Sequence, residues 1–213
     1  NAAVEVDGAA YWMSDNGFFR YTGKLESMDC LVEDYVYDDL NTTSNQFIYC
    51  GINNLFGEIT WFYPTADSNV NTRSVTYSYL DSTAKRPIWF TNDSTLFTRT
   101  TWQDSAVFGL PHATQYDAGT DVSFDVEGNT DGISYYYEHE TGVNQIRLGV
   151  TTAIPADITS GDYDITQKVV RGAATNMADL RGDGENIMRV SRIVPDFINQ
   201  SGNTIIQLDL RDY

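Results

Sequence analysis

The chain has 213 residues, enough for one large β domain or two small ones with ample core to bury. Its 30 acidic residues against 13 basic ones give a formal charge of −17, and Lys24, Lys85 and Lys168 are its only lysines, so tight binding to a nucleic-acid backbone is disfavoured. No run of apolar residues is long enough for a membrane-spanning helix, no N-terminal stretch reads as a signal peptide, and the acids are scattered rather than gathered in a disordered tail. The start at Asn1 and the finish in an apolar-alternating segment lead us to expect cuts within a longer polypeptide.

Residues 11–23, YWMSDNGFFRYTG, set Tyr11, Trp12, Phe18, Phe19 and Tyr21 around an Asp-Asn-Gly turn. Rings of this kind bury roughly 150–250 Å² each, and sheets stacked about 10 Å apart need fillers of that size. They read as inter-sheet core rather than as an exposed platform for sugars. Residues 27–41, SMDCLVEDYVYDDLN, hold the one helical spacing. There Leu31, Tyr35 and Leu40 would share a face behind a Ser27 cap, with Asp34, Asp38 and Asp39 on the solvent side.

Four short strands are expected next, over 46–52, 58–63, 74–80 and 87–90. In EITWFY, Ile59, Trp61 and Tyr63 alternate with Glu58, Thr60 and Phe62; in SVTYSYL, Val75, Tyr77 and Tyr79 alternate with Ser74, Thr76 and Ser78. The link NNLFG places Asn and Gly where a hairpin needs positive φ. Four strands in up-and-down order make one propeller blade or one sheet of a sandwich. A further strand, ISYYYEH, puts Ile133, Tyr135 and Tyr137 on one side, and its Asp-Gly and Thr-Gly flanks loosely echo residues 11–23 as a neighbouring blade would.

After Gly142 aromatics thin out, leaving Tyr163, Phe197 and Tyr213. We therefore expect residues 1–142 to form propeller blades and 143–213 a second β unit, a small sandwich or a return to the main sheet. That unit would be entered through a long exposed loop at about 170–186 and would end in IMRVSRIVPDFI and TIIQLDLRDY around the turn NQSGN. The expected class is all-β, with little helix.

The search for chemistry assigns no catalytic, cofactor-binding or metal-ligating residue. His112 and His139 are the only histidines, and neither sits in a metal or triad spacing; His139, between Glu138 and Glu140, reads as structural or surface. Residues 178–187, ADLRGDGENI, resemble an improvised calcium loop through Asp179, Asp183 and Glu185, but the twelve-residue spacing is missing and a solvated turn accounts for them. Thirty acids always supply some pair at a glycosidase separation, so such a pair carries no weight. Cys30 and Cys50 read as free buried thiols, with a bridge open only in an oxidising setting. The sequons at Asn41, Asn92 and Asn199 would matter only in a secreted eukaryotic protein.

Taken in order, the motifs resemble those of a family of tailed-bacteriophage structural proteins. YWMSDNGFFRYTGKLESMDCLVEDYVYDDLN is similar to its Trp-Met, Phe-x-Tyr-x-Gly, Cys and Asp-Tyr-Val-aromatic-x-Asp-Leu-Asn run, and GINNLFGEITWFYP to its Gly-x-Asn-x-x-Phe-x-Glu-(Ile/Val)-x-Trp-Phe-Tyr. SVTYSYL, the WF of residues 89–90, RTTWQD, YYYEHETG, SGDYDI and DGENIMRVSRIVPDF resemble further pieces in the same order, so the likeness spans about residues 10–213. Thr101 departs from the usual Ala before Trp102, and residues 170–181 have no counterpart.

The resemblance implies a non-enzymatic tail hub or nozzle subunit of the packaged-DNA stabilisation type, located in the virion tail after synthesis in the host cytoplasm. It implies a β-propeller-bearing chain without cofactor, in a homo-oligomeric ring, commonly a hexamer, below the portal. Its neighbours would be portal-proximal adaptor and tail-fibre proteins, and DNA would pass without specific binding. The −17 charge suits a conduit in which DNA must slide without sticking. The alternative is a carbohydrate-binding β module, of a tail tip or a lectin-like propeller; a propeller hydrolase is the third reading.

Overall fold

The computed structural model describes residues 2–83, 86–92, 98–117, 133–147, 149–154 and 204–208. The chain divides into two units, Asn1–Ala153 and Ile154–Tyr213. The described residues of the first are mostly β, in four antiparallel sheets.

The first sheet is a meander of β1 (Ala3–Val6), β2 (Ala9–Ser14), β3 (Gly17–Tyr21) and β4 (Leu25–Ser27). Asp7 and Gly8 join β1 to β2 with φ of 51° and 78°, the mirror-image turn whose twist suits paired strands. The expected Asp-Asn-Gly turn joins β2 to β3, with Ser14 opposite Gly17. Alternation then sorts the rings. Tyr11, Met13 and Phe18 are buried on one face, while Trp12 and Phe19 stack on each other, half-buried, on the opposite one.

The helix expected over 27–41 is confined to α1, Glu33–Tyr37, and Ser27 closes β4 instead of capping it. Ladder pairing wins there: Ser27 lies opposite Phe19, and the Met28 N–H donates to the Phe18 carbonyl. Val32 stands at the N-cap with no side-chain oxygen to hold the first turn. Val36, fully buried, and Tyr37, whose hydroxyl donates to the Ser14 carbonyl, tie the short helix down. A 3₁₀ helix, Thr42–Phe47, follows; the Asn41 side chain caps it by accepting from the Thr43 and Ser44 N–H groups. The strand expected from residue 46 therefore begins at Tyr49.

The second sheet is the expected four-stranded meander: β5 (Tyr49–Asn53), β6 (Glu58–Tyr63), β7 (Arg73–Ser78) and β8 (Trp89–Asn92). Gly57 closes the β5–β6 hairpin at φ 67°. Two faces follow from the register. Ile59, Trp61, Val75 and Tyr77 face the first sheet, where Phe18 meets Trp61 edge-on at 5.1 Å and Trp89 at 4.8 Å. Tyr49, Gly51, Thr60, Phe62 and Ser74 share the opposite face, against which the third sheet packs.

The third sheet comprises β9 (Thr101–Gln103), β10 (His112–Asp117) and β11 (Ile133–Glu138). β12 (Asn144–Arg147) and β13 (Val150–Ala153) form a separate hairpin. In the first three sheets the leading strands lie side by side, β1 against β5 and β5 against β9.

Of the second unit, Thr204–Leu208 is exposed and not in a strand, although its alternation suggested one. The expected loop at about 170–186, the hairpin strand IMRVSRIVPDFI and the calcium-like residues 178–187 lie outside the described residues.

Candidate functional site

The three leading strands enclose an open groove of about 250 Å³, lined by Ala3, Val4, Tyr49, Gly51, Trp102 and Asp104 among others. Its wall depends on one glycine. A Cβ on Gly51 would stand 2.5 Å from Cγ of Trp102, so the indole lies directly on the β5 backbone. Trp102 is pinned there because its Nε1–H donates to the Ile52 carbonyl at 2.7 Å, while its own carbonyl accepts from the Tyr49 hydroxyl at 3.3 Å. Asp104, the groove's carboxylate, accepts from the backbone N–H and side-chain Nδ2 of Asn54.

Behind Trp102 lies a buried polar cluster. Arg99 is 5% exposed; it donates from Nε to Nε2 of His139 at 3.0 Å and from Nη1 to the Thr98 carbonyl at 2.6 Å and Gln115 Oε1 at 3.3 Å. Its guanidinium carbon sits 4.4 Å from the Tyr137 ring centre, a cation–π distance. Burial lowers the guanidinium to about 10, still charged at neutral pH. The His139 ring packs 4.5 Å from that of Trp102, and burial first, then the Arg99 and His112 charges, lower it to about 4. His139 is therefore a structural histidine and not a surface one. Its flanking Glu138 and Glu140 are exposed and leave it neutral.

Beside this cluster, Asn53 donates from Nδ2 to Glu140 Oε1 at 2.9 Å. Burial, then Glu140 and Asp81, hold the Glu58 carboxyl above the usual range. These acids crowd one end of the second sheet, yet among the described residues no group of three or more His, Cys, Asp or Glu side chains is placed to hold a metal. His112 lies on the outward side of the third sheet, stacked on Tyr136 with the Tyr136 hydroxyl 2.5 Å from its Nδ1. Cys30 and Cys50 are free; burial pushes Cys30 up to about 12 and raises Cys50 as well.

No known family model matches the chain, and no curated protein shows significant similarity to it.

Sequence reasoning passed over Arg99, the most buried cation among the described residues. No local signal marked it: period-two alternation pairs Arg99 with the exposed Thr101, opposite Trp102, and so sets it on a solvent face. The structure joins three of the quoted motifs at this point. Asn53 and Asn54 come from GINNLFGE, Arg99, Trp102 and Asp104 from RTTWQD, and Tyr137, His139 and Glu140 from YYYEHETG.

Proposed function

We propose that the chain is a non-enzymatic structural subunit of a bacteriophage tail hub or nozzle, forming part of the wall around the DNA channel below the portal. The observation that carries this reading is the convergence of GINNLFGE, RTTWQD and YYYEHETG on the contact between the second and third sheets. Residues that carry the resemblance bind one sheet to the next, and Gly51, Trp102 and Asp104 among them also line the open groove there. Three successive meanders with leading strands β1, β5 and β9 side by side support propeller blades, whose first strands gather round an axis. The tryptophans favour the same reading over a sugar platform, although Tyr21, expected in the core, is exposed. Trp61 is buried, Trp12, Trp89 and Trp102 are half-buried, and Trp61, Trp89 and Trp102 pack between elements.

In this reading copies associate head to tail into a closed ring, commonly of six, whose acidic residues keep DNA moving. Light scattering and negative-stain electron microscopy of the purified chain test it, alone and mixed with portal-proximal tail proteins of a candidate phage. The expected result is a ring with an axial channel. A monomer that joins no such ring and binds glycans on an array would overturn it.

A further inference from the structure

We propose that the contact between Arg99 Nε–H and His139 Nε2 is an acid-opened latch that holds the third sheet on the second. The latch is a matter of geometry, independent of the tail reading. At 3.0 Å the guanidinium donates to the ring nitrogen, so Nε2 must offer its lone pair and the ring proton sits on Nδ1. Protonation turns that acceptor into a donor and sets two cations head-on.

The surroundings do not rescue the imidazolium. From the segment before β9 the facing charge is Arg99, which stays protonated throughout; His112 of β10 also weighs against a charged ring. β11 contributes Tyr137, and β9 the uncharged Trp102. Of its neighbours in sequence, Glu138 is exposed, and Glu140 is held by Asn53 beside Glu58 and Asp81. No carboxylate is among the charges that act on the ring. The protonated ring must leave the guanidinium. Trp102 packs on that ring at 4.5 Å, and its departure frees the indole from Gly51 and Ile52 and opens the groove along β1, β5 and β9.

The test is nuclear magnetic resonance of the full chain with labelled histidine and tryptophan, from neutral pH down to about 3.5. At neutral pH, His139 should be the Nδ1–H tautomer, and its protonation should coincide with loss of the native Trp102 indole N–H signal. His139→Gln offers an oxygen to Arg99 and cannot be protonated, so its Trp102 signal should persist at least about one pH unit lower than in the wild type. An Nε2–H tautomer at neutral pH would overturn the proposal, as would loss of the Trp102 signal at the same pH in both proteins. Should His139→Gln fail to fold, the wild-type tautomer and the coincidence of its two titrations decide alone.

Discussion

Substituting Gly51 by Ala isolates the packing between the second and third sheets. Gly51 has no left-handed φ, so alanine is free of backbone strain there and any cost is steric. The new methyl would sit 2.5–2.7 Å from Cγ, Cδ1 and Cβ of Trp102, closer than carbon atoms tolerate, and two of those atoms belong to a rigid ring. The indole must shift by about 1 Å, since non-bonded carbons settle near 3.5–4.0 Å. Overpacking of this kind costs about 1–3 kcal/mol. The shift also breaks the Nε1–H bond to Ile52, and an unmade buried bond adds about 1–3 kcal/mol. The two overlap, so the expected loss is about 2–4 kcal/mol, read as a lower urea midpoint at unchanged slope. The same substitution on a Trp102→Gly background, which removes Cβ along with the ring, should cost less than about 0.5 kcal/mol, because all three clashing atoms are then gone. A single variant as stable as wild type, or an equal cost on both backgrounds, would refute the account of the junction.

Other outcomes follow from individual residues. Phe18→Ala removes a fully buried ring set against Trp61, Trp89 and Tyr37 and should destabilise by about 3–5 kcal/mol in the same urea assay. Asn41→Ala deletes the cap of the 3₁₀ helix and a side-chain bond to the Ser68 carbonyl, and should cost about 1–2 kcal/mol. Neither thiol should react with a disulfide reagent at neutral pH in the native chain, because burial keeps both protonated; both should react in urea. His139 sits at about 4 in the fold against an ordinary 6.5, so the unfolded chain takes up its proton first. Its contribution is complete above about pH 6.5 and is lost as the pH falls toward about 4, by at most about 3 kcal/mol. Glu58, raised in the fold, works in the opposite sense above the ordinary carboxylate range. Denaturation curves of wild type and His139→Gln across that window separate the two.

Much of the fold was legible because period-two alternation and the pleat are the same fact. Ile59, Trp61 and Tyr63 could be placed on one face before any coordinates, and all three are buried together. The turn chemistry was equally plain at Asp15-Asn16-Gly17 and at Gly57. The helix was misjudged because spacing describes a face and is silent on competition. Ser27 had a ladder partner in Phe19, a tertiary choice that Leu31 and Tyr35 do not encode. The site was harder still. Arg99 and His139 are 40 residues apart, and either alone looks like an ordinary polar residue on a Thr- or Glu-rich stretch. Only the sheet stack makes them one object.

The two faces of the second sheet rest on different physics, and this bears on what the molecule can withstand. Against the first sheet it presents Ile59, Trp61, Val75, Tyr77 and Trp89, and the contact is mostly ring on ring with Phe18 and Tyr11, joined by one directed bond from Trp61 Nε1–H to the Ala2 carbonyl. Burial of that kind is non-directional and indifferent to pH. Against the third sheet it presents Gly51, Thr60 and Ser74 with the rings of Tyr49 and Phe62, and the contact is made largely by directed bonds: Trp102 to Ile52, Tyr49 to Trp102, Asn53 to Glu140 and Asn54 to Asp104. Directed bonds fix register more sharply than area does, and each fails when its own partner is lost or titrates. A stack of sheets built this way gains rigid alignment at the second junction at the cost of making it conditional. The first junction carries the stability that survives when the second gives way.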